Sequence, residues 1–575
     1  MTFEQLYEEK ALKNVTVPMR DGINLSSFIL LPESSDQVPA VLLRTPYIKE
    51  KICSEKVYHD FILKAYSSGY AVVIQDVRGT GHSEGALLSN GGNEGRDGYD
   101  TVEWLAAQKW CNGKIGMFGL SYFGFTQMAA AAEQPPHLCA ICPFQNASLY
   151  PFSISQANTF NSFHLMWLYG RVLEQMALDK EDTPEKSRIR QEIESYSQNW
   201  NEVSRFLPAR ENPAAKINGV PLLKDYIDLV DGVEDDRYWK QAGRPVRLEK
   251  IQVPIFHLTG WNDAAKDGTM QNFAFLQKHG DPSLLQNCRL IIGPWTHGGT
   301  LPSVVDGDDY GDENSGENQH IADRMIQWFD RWLRDDFHAL DEWKPIRYFE
   351  LGTNRWKEAD EWPPKEATDI AWYLHRNGQE SRGSLSCEKP LQESPDHFDY
   401  NPDNPLPSSF SDAMKRSLHA DPQAQSERPD VLTYLSDSME TPMTLCGSVR
   451  LALYAATDRT DTDFFARLSD VNPKGRAMPL LSGIVRGRFR HGRIPEPLVP
   501  GTCTLFTIEM GDIAASILPG HRLLLQISSS NFPANDRNLN TGERTGWGTA
   551  MLIAQQTVFH DQDHPTALIL PVMKS

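Results

Sequence analysis

Two hydrophobic periods divide the chain. Up to about residue 144, short apolar runs of strand type recur as PAVLLRTPY (39–47), YAVVIQDVRG (70–79) and KIGMFGLS (114–121). Helical patterns lie between them, notably DGYDTVEWLAAQKW (97–110). Ahead of these, TVPMRDGINLSSFILL (16–31) alternates and turns at Asp21-Gly22, a hairpin signal. Alternating strands and helices predict a parallel sheet covered on both faces. From about 145 to 245 the pattern is helical only, as in HLMWLYGRVLEQMALDK, and predicts an inserted helical unit. Strand type returns at 251 with IQVPIFHLTGWND and CRLIIGPWTHGG (288–299), followed by the amphipathic HIADRMIQWFDRWLRDD (320–336). After about 350 come many short strands broken by Gly, Pro, Asn and Asp, which predict a β-sandwich or jelly roll. The expected units are a core from 1–144 and 246–350, a helical cap over 145–245, and an all-β unit over 351–575.

Charge narrows the partners. Lys+Arg 56 against Asp+Glu 76 leave a formal charge of −20, which repels phosphate backbones and anionic lipid. Neither nucleic acid nor membrane is an expected partner. The opening MTFEQLYEEKALKNV has no basic region followed by an apolar one, and no run of about 18 apolar residues occurs. Eight scattered cysteines suit free thiols in a reducing compartment, so a cytoplasmic protein is expected. Cys139 and Cys142 form a lone CxxC, read as structural thiols rather than a metal or redox site. The acidic run DGDDYGDE (306–313) lacks EF-hand spacing and reads as a solvated loop. No metal and no cofactor are expected.

The candidate chemistry sits at strand ends. In KIGMFGLSYFG, Ser121 stands between a strand and an alanine-rich helix, with Gly119 two residues before it and Gly124 three after. That order is the nucleophile elbow of α/β-hydrolases, although the usual second glycine is one residue nearer and Phe123 holds its place. A serine hydroxyl needs a base, and the base needs a carboxylate to hold its tautomer. Asp263 closes the strand of IFHLTGWND and His297 the strand of RLIIGPWTHGG, where open α/β sheets carry their chemistry. Asp267 is a rival carboxylate, four residues further on.

Several long motifs in order carry a resemblance. GLSYFG, GWND, GPWTH, RTPY (44–47) and DVRGTGHSEG (76–85) resemble those of the CocE/NonD hydrolases, which include cocaine esterase, α-amino acid ester hydrolases and X-Pro dipeptidyl-peptidases. TDTDFFARLSDV (460–471) and ISSSNFPANDRNLNTG (527–542) extend the resemblance over nearly the whole chain. It implies an α/β-hydrolase core, an inserted helical cap and a C-terminal jelly roll. It implies Ser121 as nucleophile, Asp263 as orienting carboxylate and His297 as base, with the Tyr47 hydroxyl and Tyr122 amide as oxyanion hole. The acyl pocket is expected between core and cap, walled by Phe160, Phe163, Trp167 and Trp261. Family members that hydrolyse amino-acid esters carry acidic residues after the catalytic aspartate. Here Lys266 stands there, and if it faces the pocket it favours an acidic or neutral substrate.

The expected activity is therefore hydrolysis of a small-molecule ester or amide through an acyl-serine. X-Pro dipeptidyl-peptidase activity is the alternative, weakened by the chain's beginning almost directly at the core. A homodimer through the β half is a further expectation. Two readings from other classes remain: a nucleotide-binding loop in RGTGHSEG, whose glycines do not spell GxGxxG, and a catalytically silent carbohydrate-binding protein.

Overall fold

The computed structural model describes residues 12–33, 36–89, 91–148, 159–160, 163–179, 181–242, 244–298, 301–305, 308–376, 382–408 and 422–574. Among the described residues, twelve strands precede residue 360. They are β1 (Leu12–Pro18), β2 (Asn24–Leu30), β3 (Val38–Thr45), β4 (Ala71–Asp76), β5 (Cys111–Leu120), β6 (Leu138–Phe144), β7 (Phe256–Asn262) and β8 (Arg289–Thr296). The short pair β9 (Val304–Val305) and β10 (Asp308–Asp309) stands apart, and β11 (Ile346–Glu350) and β12 (Arg355–Ala359) complete the set. Ten of them form one sheet in the order β1-β2-β4-β3-β5-β6-β7-β8-β11-β12.

From β4 to β11 every neighbouring pair is parallel. The β1–β2 hairpin, turning at Gly22 as its pattern predicts, flanks this run on one side, and the β11–β12 hairpin on the other. Because the parallel strands are covered on both faces, they read as unbroken apolar runs. Leu42, Val73 and Met117 pack on one face against Val102 of the helix Glu94–Ala106 and Met128 of the helix Tyr122–Ala132. Val41, Leu43 and Val72 pack on the other, against Phe61 of Lys56–Ser67 and Trp328 and Phe329 of Ile321–Leu333. This sheet reaches Ala359, nine residues past the expected boundary at 350, because β12 folds back on β11 and stays in register with it.

Between β6 and β7 the described chain is helical, with Phe163–Leu178, Pro184–Gln198 and Lys224–Gly232 the longest segments. They enclose their own core of Leu165, Leu168, Trp200, Leu229 and Trp239. After residue 360 an eleven-stranded, mostly antiparallel sheet wraps a second large core that includes Leu451, Phe464, Phe506, Ile508 and Leu525. The strand Met443–Thr457 pairs with Thr504–Ile517 over most of their lengths, with a register shift between Val449 and Arg450. Leu351 joins this unit to the first sheet: its N–H donates to Ala514 O and its carbonyl accepts from Ser516 N.

Charges bind the helical unit to the β unit. The Arg486 side chain is 2% exposed and forks onto both oxygens of Asp463 at 2.9 Å, with Asp536 Oδ2 at 3.1 Å. Arg488 reaches Glu234 Oε1 of the helical unit at 2.5 Å. Asp536 Oδ1 accepts from the Phe160 N–H at 2.9 Å. Replacing Arg486 by methionine strands two buried carboxylates and is expected to cost about 3–5 kcal/mol in urea unfolding. An unchanged midpoint would show that the network is dispensable.

Candidate active site

β5 ends at Leu120, and the next residue, Ser121, has φ +58° and ψ −121°. A non-glycine residue there stores about 1–3 kcal/mol of strain, which the surroundings must enforce. A Cβ on Gly119 would lie 2.6 Å from Phe123 Cβ. One on Gly124 would lie 2.6 Å from Asn146 Cβ and 2.9 Å from Phe144 O. Glycine is thus required two before and three after the serine. Phe123, where a second glycine is usual, points into the core instead and packs on the rings of Tyr47 and Tyr58 at 5.2 and 5.4 Å.

Three expected partners converge at these strand ends. Asp263 follows β7 and is fully buried; its Oδ2 accepts from Thr259 Oγ1 at 2.8 Å and its Oδ1 from Ala265 N at 2.8 Å. His297 follows β8, with Nδ1 2.7 Å from Asp263 Oδ1 and Nε2 2.9 Å from Ser121 Oγ. A carboxylate only accepts, so Nδ1 carries the ring proton and Nε2 offers its lone pair to the serine hydroxyl. The rival Asp267 is turned away, 2.6 Å from Lys266 Nζ and half exposed.

One positioning residue escapes sequence reading. Gln145, just after β6, has φ +45°. Its N–H donates to Leu258 O, its Nε2 to Thr296 O at 2.7 Å, and its Oε1 accepts from Gly298 N at 3.2 Å. It clamps the turn that carries His297. A lone glutamine after an apolar strand has no pattern that would single it out.

Ser121 opens into a cleft whose walls include Tyr47, Tyr122, Phe125, Phe163 and Trp167. Trp167 Nε1 donates to the Tyr47 hydroxyl oxygen at 3.2 Å, and the Arg171 guanidinium lies 4.0 Å from the centre of the Tyr47 ring. The Tyr122 ring stacks on Trp167, and its hydroxyl donates to Glu94 Oε1 at 3.0 Å. The Tyr122 N–H opens the helix, so it has no acceptor within that helix. Phe163 and Trp167 both line the serine's cleft.

Three expected wall residues do not. Phe160 is buried in the helical core and lines a separate cavity with Tyr226 and Asp536, because its backbone is tied to Asp536. Trp261 lies wholly buried on the β-unit side, its Nε1 donating to Phe349 O at 2.5 Å and its ring against Trp362. Lys266 is likewise buried and spends its ammonium on Asp512 O at 2.5 Å and Asp267 Oδ1 at 2.6 Å. In each case a strand-end or helix-start position faces the C-terminal β unit, whose location the local pattern does not encode. Ser89, His164 and Arg244 line the cleft without having been expected there. His164 Nε2 lies 3.0 Å from Ser89 Oγ, and burial pulls its pKa down to about 4, so it is neutral.

Other quoted motifs are scaffold. Asp76 of DVRGTGHSEG accepts from the Lys49 backbone and ammonium at 2.7 and 2.8 Å, and from His82 N at 3.2 Å. Gly81 passes so close that a Cβ would lie 2.1 Å from that carboxylate. Arg44 of RTPY is buried against Gln75 and Glu94. All eight cysteines are free thiols, Cys139 and Cys142 included. Among the described residues no group of three His, Cys, Asp or Glu could hold a metal, and no helix is long and apolar enough to cross a membrane. Of the acidic run 306–313, Asp306 and Gly307 lie outside the described residues.

The family model described as X-Pro dipeptidyl-peptidase (S15 family) matches residues 21–299, and that of the X-Pro dipeptidyl-peptidase C-terminal non-catalytic domain matches 338–569. A cocaine esterase from Rhodococcus sp. (strain MB1 Bresler) is 30% identical over 98% of both chains. Two solved structures share the fold with TM-scores of 0.82 at 24% identity. One is an α-amino acid ester hydrolase, covering 98% of this chain and 96% of its own. The other is an aminopeptidase from a marine sediment archaeon, Thaumarchaeota archaeon, covering 98% and 97%. With both halves matched in order and this identity held from end to end, the chain belongs to the CocE/NonD hydrolases of the S15 peptidase family and is a serine hydrolase.

Proposed function

We propose that the protein hydrolyses carboxylic esters of small molecules, and amides more slowly, through an acyl-serine intermediate. The observation that carries this is the hydrogen-bonded chain from Ser121 Oγ through both nitrogens of His297 to a buried Asp263. In this reading the first sheet and its helices are an α/β-hydrolase core, residues 145–245 its cap, and the chain beyond the β11–β12 hairpin a jelly roll. Strand order and the single helical excursion between β6 and β7 support that division. Eight free thiols support a reducing, cytoplasmic setting.

In the acylation step Ser121 Oγ bonds to the substrate carbonyl carbon as His297 Nε2 takes the hydroxyl proton. The carbonyl π electrons move onto oxygen, and that oxyanion lies between the Tyr47 hydroxyl and the Tyr122 N–H. Asp263 holds the imidazole in its tautomer and steadies the imidazolium. The intermediate collapses, the bond to the alcohol breaks, and the departing oxygen takes the proton from His297. Water then repeats the sequence on the acyl-serine, releasing the acid and restoring the serine.

Dipeptidyl-peptidase activity is the second reading, supported by the S15 match. It needs a partner for a free terminal ammonium. The described cleft walls carry no carboxylate and do carry a guanidinium, which favours esters. An intact Ser–His–Asp chain weighs against a silent sugar-binding protein. The expected test result is covalent labelling of Ser121 by a fluorophosphonate, read by peptide mapping. Labelling of another residue, or of none, would remove the acyl-serine scheme.

A further inference from the structure

We propose that a cleft at the opposite end of the first sheet from Ser121 binds a phosphoryl group, held by Arg289, Arg324 and Arg347. Such a site is independent of the ester chemistry. The cleft has a volume of about 480 Å³, within the range of small-molecule sites. Three elements line it with arginine. Arg289 and Arg347 come from the neighbouring parallel strands β8 and β11, and Arg324 from the helix Ile321–Leu333. Arg289 opens β8 and His297 follows its end. At about 3.3 Å per residue, about 25 Å of strand separates the cleft from the catalytic base.

In a chain of formal charge −20, none of these three arginines makes an ion pair among the described residues. Arg289 Nη1 donates to the carbonyls of Gln286 and Cys288 at 3.0 and 2.9 Å, and its Nε has no acceptor. Arg347 Nη2 donates to Gln319 Oε1 at 2.8 Å, and its guanidinium lies 4.7 Å from the centre of the Trp356 ring. Arg324 Nε donates to Gln319 O at 3.4 Å, with the guanidinium 5.1 Å from the centre of the Trp343 ring. These neutral partners position the arginines and leave their charge uncompensated. Burial pulls all three pKa values down, and the Arg347 charge lowers that of Arg324 further. A bound dianion relieves both costs.

The carboxylates of the cleft do not take its place. Asp323 Oδ1 is 2.5 Å from Lys64 Nζ. Glu342 and Glu358 are exposed. Glu358 stands opposite Arg347 in register, outside ion-pairing distance of either Arg324 or Arg347. Gln327 Oε1 accepts from Trp343 Nε1 at 3.2 Å, which leaves its amide nitrogen as a further donor on the cleft wall. A phosphoryl dianion brings three terminal oxygens and about two charges, enough for several guanidiniums, whereas one fork satisfies a carboxylate.

Isothermal titration of the full chain at low ionic strength tests this, with inorganic phosphate, glycerol 3-phosphate, glucose 6-phosphate and AMP as ligands and tricarballylate as the carboxylate comparison. One site per chain is expected, tighter for at least one phosphate than for tricarballylate and weakened by added salt. Tightest binding of inorganic phosphate would make the free ion the ligand, and tightest binding of a monoester a phosphorylated organic molecule; both results support a phosphoryl site. Arg324→Gln and Arg347→Gln should each weaken binding about 10- to 100-fold. Arg331→Gln removes the same charge from the same helix without lining the cleft, and should leave binding unchanged. Glu358→Gln removes a competing charge from an exposed position and should tighten binding about two- to five-fold. That gain decides the matter should the arginine variants fail to fold. No saturable binding of any phosphate, tighter binding of tricarballylate than of every phosphate, binding that survives both cleft-arginine substitutions, or an equal loss in Arg331→Gln would overturn the proposal.

Discussion

Ser121→Ala and His297→Ala are each expected to lower kcat by about a million-fold, and the double substitution to lower it no further. The reason is geometric. The hydroxyl is a weak nucleophile alone, and the imidazole has no other proton to take, because its Nε2 faces that one oxygen at 2.9 Å. Removing either member removes the same step, so the losses cannot multiply. Asp263→Asn is expected to cost about 10⁴. Its amide oxygen can still accept from His297 Nδ1 and Ala265 N, and its amide nitrogen can donate to the Thr259 hydroxyl, so the tautomer survives. What disappears is the negative charge facing the imidazolium in a fully buried site. Steady-state kinetics on variants with wild-type circular dichroism provide the check. Losses that multiply in the double variant would show that the two residues do not act as a unit.

Tyr47→Phe should lower kcat by about 10²–10³, since one oxyanion donor is worth about 2.7–4 kcal/mol, with KM little changed. Its oxygen already accepts from Trp167 Nε1, so the phenolic proton is left to donate into the cleft. The Arg171 guanidinium over the ring favours electron density moving away from that O–H, which makes it a better donor. Trp167→Phe leaves the phenol in place but removes what aims it, and a smaller loss in kcat is expected. Stopped-flow measurement of p-nitrophenol release separates acylation from turnover. An unchanged acylation rate in the Tyr47 variant would take the hydroxyl out of the oxyanion hole.

Local pattern carried the parallel sheet, the helical excursion and the strand-rich end, because burial on two faces, on one stripe or on alternate residues leaves different periods in the chain. The alignment of Ser121, Asp263 and His297 was legible for a related reason. Open parallel sheets put their chemistry at strand ends, and strand ends are marked by where an apolar run stops. What was not legible depends on contacts between distant segments. Trp261 and Lys266 flank the candidate aspartate in sequence, yet Trp261 is claimed by Phe349 of β11 and by the Trp362 ring, and Lys266 by Asp512 across the interface with the β unit. Arg244 and Gln145 are isolated polar residues in unremarkable surroundings, and only the path of the chain brings them to the serine. The hairpin of β11 and β12 shows the same limit, since a reversal into the same sheet looks locally like the start of a new unit.

The ladder between Phe160 and Asp536 reaches further than local stability. Each of these residues donates its backbone N–H to the other, and Asn535 adds a bond to Thr159. The helix that begins three residues later brings Phe163 and Trp167 to the rim. The C-terminal half thus anchors the stretch just ahead of the helix that supplies two walls of the cleft, while none of the Ser121–His297–Asp263 chain comes from it. Substitution at Asn535 or Asp536, at a remove from every reacting atom, is therefore expected to alter discrimination among substrates while the nucleophile itself stays intact.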